Sequence, residues 1–167
     1  MTTWRVVKLA RSHAVDGFDC GSEPLDRFLI RHALQNQQAN ASQTYVALAD
    51  EKVIGYFTLV VGDVSHGEVL ERLTRGLARH PVPVMVLARL AVSTSWQGRG
   101  IGSALLRDAV LRTLQAADIA GIRALAIHAK DDAARVWYER FQFVAGPTNP
   151  LHLYALIKDL RHLIEPG

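Results

Sequence analysis

The sequence predicts a single α/β domain built on one central sheet, and three observations carry that reading. The chain has 167 residues and 18.4 kDa, the size of one domain. Hydrophobic residues make up 49% and charged residues 21%, enough apolar surface for a packed core and too much for a disordered or fibrous chain. Short β-rich apolar runs alternate with segments whose apolar residues recur every three or four positions. No repeat or Gly/Ser/Pro linker interrupts residues 1–167.

Taken in order, Trp4 to Leu9 reads as a short strand. The turn Phe18-Asp-Cys-Gly-Ser-Glu-Pro then leads into a helix that Ser22 can cap and whose first turn tolerates Pro24. Leu25, Phe28, Leu29 and Ala33 form its buried stripe, and the polar stretch Gln35 to Ser42 ends it. Thr44 to Leu48 and Val53 to Val61 read as a hairpin joined through Ala49-Asp-Glu-Lys. Leu70, Leu73 and Leu77 predict a helix over Val69 to Ala78, ended by His80-Pro81-Val82-Pro83. Val84 to Val92 is a central strand, and a helix from about Ile101 to Asp118 follows, burying Leu106, Ala109, Val110, Leu114 and Ala117, with Gly121 as its stop. Arg123 to Ala129 is the next strand, Asp131 or Asp132 caps a helix over Ala133 to Arg140, and Leu151 to Ile157 is the last strand.

Composition narrows the function. The longest apolar runs, Val53 to Val61 and Pro81 to Ala88, fall far short of the roughly 20 residues of a membrane helix. The N-terminal segment lacks a secretory pattern, and Cys20 is the only cysteine, so a cytoplasmic, reducing address is expected. The seven histidines form no metal-type cluster with Cys20 or the carboxylates, and no metal is predicted. Of the 19 cations, 15 are Arg, and no acidic residue lies between Glu71 and Asp108, while Arg72, Arg75, Arg79, Arg89, Arg99 and Arg107 do. Arginine clustered this way suits a polyanionic ligand.

The chemistry centres on Gln97-Gly-Arg-Gly-Ile-Gly102, which follows a strand and opens a helix, where bare backbone N–H groups and the helix dipole form an anion site. A triphosphatase loop would need Gly-Lys-Ser/Thr, and the dinucleotide fingerprint a glycine where Ser103 stands. The loop, the strand before it and the segment Trp137-Tyr-Glu-Arg-Phe-Gln-Phe143 resemble the GCN5-related N-acetyltransferase superfamily, whose pattern Gln/Arg-x-x-Gly-x-Gly/Ala is filled by Gln97, Gly100 and Gly102. The resemblance implies a twisted mixed sheet splayed to admit acetyl-coenzyme A and flanked by helices. It implies further that the backbone of Leu90, Ala91 and Val92 pairs with the pantetheine arm, and that Gly98, Arg99, Gly100, Ile101, Gly102 and Ser103 hold the pyrophosphate.

A closer resemblance spans nearly the whole chain. Phe18-Asp-Cys-Gly, Leu25-Asp26, Phe28-Leu29, Thr44-Tyr-Val46, Arg89-Leu-Ala-Val92, the glycine loop, Trp137-Tyr-Glu139 and Tyr154 together resemble the acetyltransferase toxins of bacterial toxin–antitoxin pairs. That family acetylates the α-amino group of aminoacyl-tRNA and stalls translation. The resemblance implies acetyl-CoA as cosubstrate, a ribbon-helix-helix antitoxin as partner and a homodimer. One departure is Gln142, where the family commonly carries glycine.

Acyl transfer from a thioester to an amine needs a neutral amine, a polarised carbonyl and a proton for the leaving thiolate. Tyr138 fits the last role, since a phenol of pKa about 10 is protonated at neutral pH; packing among Trp137 and Phe141 is its purely structural alternative. The free α-amine is partly neutral without help, and His128 is the candidate base if one serves. Cys20 lacks a fixed His partner and is a poor nucleophile. Arg27, Arg31, Arg72, Arg75, Arg79 and Arg89 are the candidate tRNA contacts. The alternatives are a small-molecule amine acetyltransferase of the same fold, for which acidic residues around the acceptor cleft are expected, and a non-enzymatic binding module.

Overall fold

The computed structural model describes residues 3–65, 75 and 81–164. Its elements run β1 (Arg5–Lys8), α1 (Glu23–Arg27), a π-helical stretch (Phe28–His32), α2 (Ala33–Gln38), β2 (Gln43–Ala49), β3 (Lys52–Val64), β4 (Val82–Val92), a 3-10 turn (Thr94–Trp96), α3 (Ile101–Ala117), β5 (Ala124–His128), α4 (Asp132–Glu139), β6 (Val144–Ala145), β7 (His152–Leu156) and α5 (Ile157–Ile164). The strands form one mixed sheet in the order β1-β2-β3-β4-β5-β7-β6. β4 and β5 are parallel and pair from Val84↔Ala124 to Leu87↔Ile127. β1–β2, β2–β3, β5–β7 and β6–β7 are antiparallel. This is the mixed α/β architecture expected from the sequence. Apart from residue 75, the helix expected over residues 69–78, with Arg72 and Arg79 on or beside it, lies outside the described residues.

The chain divides into two compact units, Met1–Val60 with Arg89–Ala109, and Val61–Ala88 with Val110–Gly167. In the first, the run from Glu23 to Gln38 is helical throughout, with Pro24 in its opening turn; Ser22 stands at the N-cap without a side-chain bond. It buries Phe28, Leu29 and Ala33 against Leu9, Phe18, Val46, Leu48, Tyr56 and Ala91. The β2–β3 turn is tighter than expected, because Asp50 and Glu51 both adopt left-handed φ of 50° and 63°, as a two-residue type I′ hairpin requires. β3 accordingly starts at Lys52 and runs on to Val64.

In the second unit Val82, Val84, Ala124, Ala126, Tyr154 and Leu156 form the core, packed by Val64 and Val86. Asp131 caps α4, its Oδ1 accepting the Ala134 N–H at 2.9 Å. Two elements go beyond the sequence reading, the short strand β6 and the helix α5. Helix α3 ends at Ala117, four residues before Gly121, and Ala117 is only partly buried, so neither served as expected. Among the described residues no helix is long and apolar enough to cross a membrane.

Candidate functional site

The glycine loop is built at the end of β4. Ser93 N–H donates to Ile54 O on β3 at 2.8 Å. Since peptide groups alternate sides along a strand, those of Ala91 turn towards β3 and those of Leu90 and Val92 away from it. Residues 88–92 lie past Leu87↔Ile127, the last β4–β5 pair. A strand end running beyond its neighbour leaves Leu90 and Val92 with peptide groups to offer a ligand. Val92 O already accepts one bond, from Gln97 Nε2 at 2.9 Å, and the same nitrogen donates to Cys20 O at 3.0 Å. Gln97 thereby fastens the loop to the Phe18–Gly21 turn.

Gly98 and Gly100 hold φ of 77° and 81°, a region that L side chains rarely adopt, while the space where a Cβ would stand is open. The demand for glycine is conformational and leaves room beside the backbone. Ala104 N–H donates to Gly100 O at 3.2 Å, the first bond of α3. Before it, no N–H from Gly98 to Ser103 meets an acceptor among the described residues. Bare donors at the start of a 17-residue helix present partial positive charge to an anion. Ile101 is buried and anchors the turn, whereas Arg99 is exposed, its guanidinium 4.7 Å from the centre of the Trp96 ring. Trp96 was not singled out in the sequence, although its position three residues before Arg99 was visible there.

The four candidate arginines among the described residues fall into different settings. Arg27 is exposed and pairs with Glu23 at 2.6 Å, and Arg31 is exposed on the π-helical stretch. Arg89 is half-buried with its guanidinium 3.6 Å from the centre of the Phe28 ring, which brings it against the helical run carrying the other two. Arg75 is exposed and belongs to the second unit, its carbonyl accepting from Arg123 at 3.3 Å. Cys20 is no nucleophile here, because burial and the Asp26 carboxylate push its thiol up to about 11 and keep it protonated.

Tyr138 and His128 belong to the second unit. Tyr138 is 6% exposed, with Trp137 edge-on at 5.0 Å and Phe143 at 6.5 Å between ring centres. Burial raises its pKa well above the ordinary tyrosine value, and its hydroxyl makes no hydrogen bond among the described residues. A phenol so placed keeps its proton at neutral pH and has it free to give. His128 ends β5 opposite His152 on β7, the two rings stacked at 4.2 Å. Desolvation, and secondarily His152, hold its pKa below the usual imidazole value, so it is a neutral acceptor at pH 7. Three or more His, Cys, Asp or Glu able to hold a metal do not come together among the described residues.

Residues 40–145 match the acetyltransferase (GNAT) domain family. The chain belongs to the GNAT acetyltransferases. It is 43% identical over 157 residues, 94% of each chain, to a tRNA-acetylating toxin of Mycobacterium tuberculosis (strain ATCC 25618 / H37Rv). Among solved structures it resembles AtaT complexed with acetyl-methionyl-tRNAfMet, at 23% identity and TM-score 0.89 over 97% of this chain and 99% of the other. It also resembles a tyrosine-to-phenylalanine AtaT variant bound to the C-terminus of the antitoxin AtaR and acetyl-CoA, at 24% identity and TM-score 0.84 over 97% and 98%. At those identities the likeness is one of fold.

Proposed function

We propose that this GNAT enzyme transfers the acetyl group of acetyl-CoA to the α-amino group of aminoacyl-tRNA, as the toxin of a toxin–antitoxin pair. The identity of 43% across 94% of the chain to a tRNA-acetylating toxin carries the reading. The AtaT complexes with acetyl-methionyl-tRNAfMet and with AtaR and acetyl-CoA support the substrate, the cosubstrate and an antitoxin partner. An antitoxin of the ribbon-helix-helix type and a homodimer remain part of the proposal through family resemblance, and a tRNA substrate supports a cytoplasmic address as part of the same reading.

The loop fits the coenzyme. The unpaired N–H groups from Gly98 to Ser103 suit its diphosphate, Arg99 adds charge, and the peptide groups of Leu90 and Val92 suit the amides of its arm. The acceptor nitrogen attacks the thioester carbonyl, forming the new C–N bond, and the C–S bond breaks. Tyr138 gives its proton to the departing thiolate, and the proton shed by the amine passes to solvent or to His128. The amine is partly neutral already, since a free α-amine titrates near 8 and the ester lowers it further. Arg27, Arg31, Arg75 and Arg89, with Arg72 and Arg79 in the same basic series, supply cations for the tRNA backbone.

Incubation with labelled acetyl-CoA and total charged tRNA, with uncharged tRNA and a panel of small amines as controls, tests the reading. Label that requires the aminoacyl group is the expected result. Label on small amines alone would leave a small-molecule acetyltransferase of the same fold.

A further inference from the structure

Arg89 differs from the other arginines of the first unit in its burial: Arg5, Arg11, Arg27, Arg31, Arg99 and Arg107 are all exposed. Arg5 pairs with Glu51 at 2.9 Å and Arg27 with Glu23 at 2.6 Å. Arg89 is half-buried, yet among the described residues it makes no ion pair and no hydrogen bond. What it meets among the described residues is an aromatic face: Phe28, 6% exposed, lies under its guanidinium at 3.6 Å. Phe28 is fixed in turn by Tyr56, stacked at 6.4 Å, whose hydroxyl donates to Leu25 O at 2.6 Å.

A half-desolvated cation is costly unless something answers its charge, and a ring face answers only part of it. Stacking also fixes the plane of the guanidinium, so its N–H edge presents a preset two-pronged donor. That edge matches the paired oxygens of a phosphate better than any neutral group. Burial lowers the pKa of Arg89, in keeping with a charge the protein leaves uncompensated.

We propose that Arg89, backed by Phe28, is a phosphate-binding site for the acceptor, taking a phosphodiester close to the aminoacylated 3′ end of the tRNA. This rests on the aminoacyl-tRNA reading above and assigns one phosphate contact within it. The coenzyme also carries phosphates, but its diphosphate has the N–H groups of Gly98 to Ser103. Arg89 stands one residue before Leu90, and at roughly 3.3 Å per residue the strand segment offered to the acyl arm ends about 10 Å further on. A phosphate so near the reacting carbonyl belongs to the last nucleotides of the acceptor.

The test compares wild type with Arg89→Met and Arg89→Lys on two acceptors, aminoacyl-tRNA and phosphate-free aminoacyl-adenosine, with acetyl-CoA affinity measured by calorimetry. Loss of one charge-assisted contact lowers kcat/KM on aminoacyl-tRNA about tenfold to a hundredfold in Arg89→Met, mainly through KM. The slope of log affinity against log salt falls by about one. The loss on aminoacyl-adenosine is at least tenfold smaller by that estimate. Arg89→Lys keeps the charge without the fork and falls between, which separates recognition from misfolding. Equal losses on both acceptors, weakened acetyl-CoA binding, or wild-type use of aminoacyl-tRNA by Arg89→Met would each overturn the assignment. A wild-type enzyme that acetylates small amines and no charged tRNA overturns the tRNA reading itself, and this site with it.

Discussion

Gln97 ties the glycine loop to Cys20, 77 residues earlier, through one side-chain nitrogen that donates to Cys20 O at 3.0 Å while also holding Val92 O at 2.9 Å. The loop's first residue therefore positions backbone on both of its flanks. Gln97→Ala removes both bonds, and since each is neutral and exposed the stability loss is about 1 kcal/mol. The larger expected effect is on acetyl-CoA: its Kd rises severalfold as the loop loses its preset shape. Gln97→Glu is worse, because it aims a carboxylate oxygen at two carbonyl oxygens. Calorimetry of acetyl-CoA binding beside thermal melts checks this; a lowered Tm with an unchanged Kd would make the tie structural only.

Tyr138 offers a cleaner separation of binding from chemistry. Its ring is packed by Trp137 and Phe143 and its hydroxyl has no partner among the described residues, so Tyr138→Phe removes the acid while keeping the packing. A lost general acid costs about a hundredfold to ten-thousandfold in kcat, with acetyl-CoA binding and Tm retained. Because burial raises the phenol's pKa, wild-type activity shows no alkaline loss from this group through pH 9. Wild-type turnover in Tyr138→Phe would remove Tyr138 from the mechanism.

Most of this architecture was legible because it is local. The apolar run Val84 to Val92, the Asp131 cap and the glycine loop each announce themselves within a few residues. The strand Leu151 to Ile157 was read one residue too far because apolar residues continue into α5 without a breaker, and the helix was missed for the same reason. The π-helical stretch at Phe28–His32 carries no Gly or Pro to mark it. Contacts between distant residues, Gln97 with Cys20, Arg89 with Phe28 and His128 with His152, left no signal in spacing. The residue types of the proposed site stand in the sequence, whereas the contacts that position them do not.

Gln142 occupies the position where the family commonly has glycine, and its φ of 72° gives the reason. Phe141 N–H donates to Tyr138 O at 2.9 Å and Gln142 N–H to Glu139 O at 3.1 Å, so Gln142 is the left-handed residue of the turn that follows α4. A left-handed conformation costs a side-chain-bearing residue about 1–2 kcal/mol, and glycine's extra unfolded-state entropy returns about 0.5–1 of it. Gln142→Gly is expected to stabilise by up to about 1 kcal/mol and raise Tm by about 2–4 °C. Gln142→Ala, which keeps the Cβ, serves as the control; an equal gain there would refute backbone strain as the cause.

The His128–His152 stack makes the enzyme sensitive to acid in a defined direction. His128 has its pKa lowered, first by desolvation and then by the His152 ring 4.2 Å away, so between that value and the unfolded value of about 6.5 the unfolded chain binds more protons. Stability therefore rises with pH through that window and is lost as pH falls below about 6.5. His152→Asn removes the like-charge contribution and leaves the desolvation, so the His128 pKa moves part of the way back up and the acid loss of stability shrinks. Titration of the His128 ring protons by NMR, alongside melts at pH 5.5 and 7.5, measures both. If His128 also accepts the amine proton, the acid limb of kcat/KM moves to higher pH in the same variant. An unmoved limb beside a shifted ring titration would show that His128 titrates without taking part in the transfer.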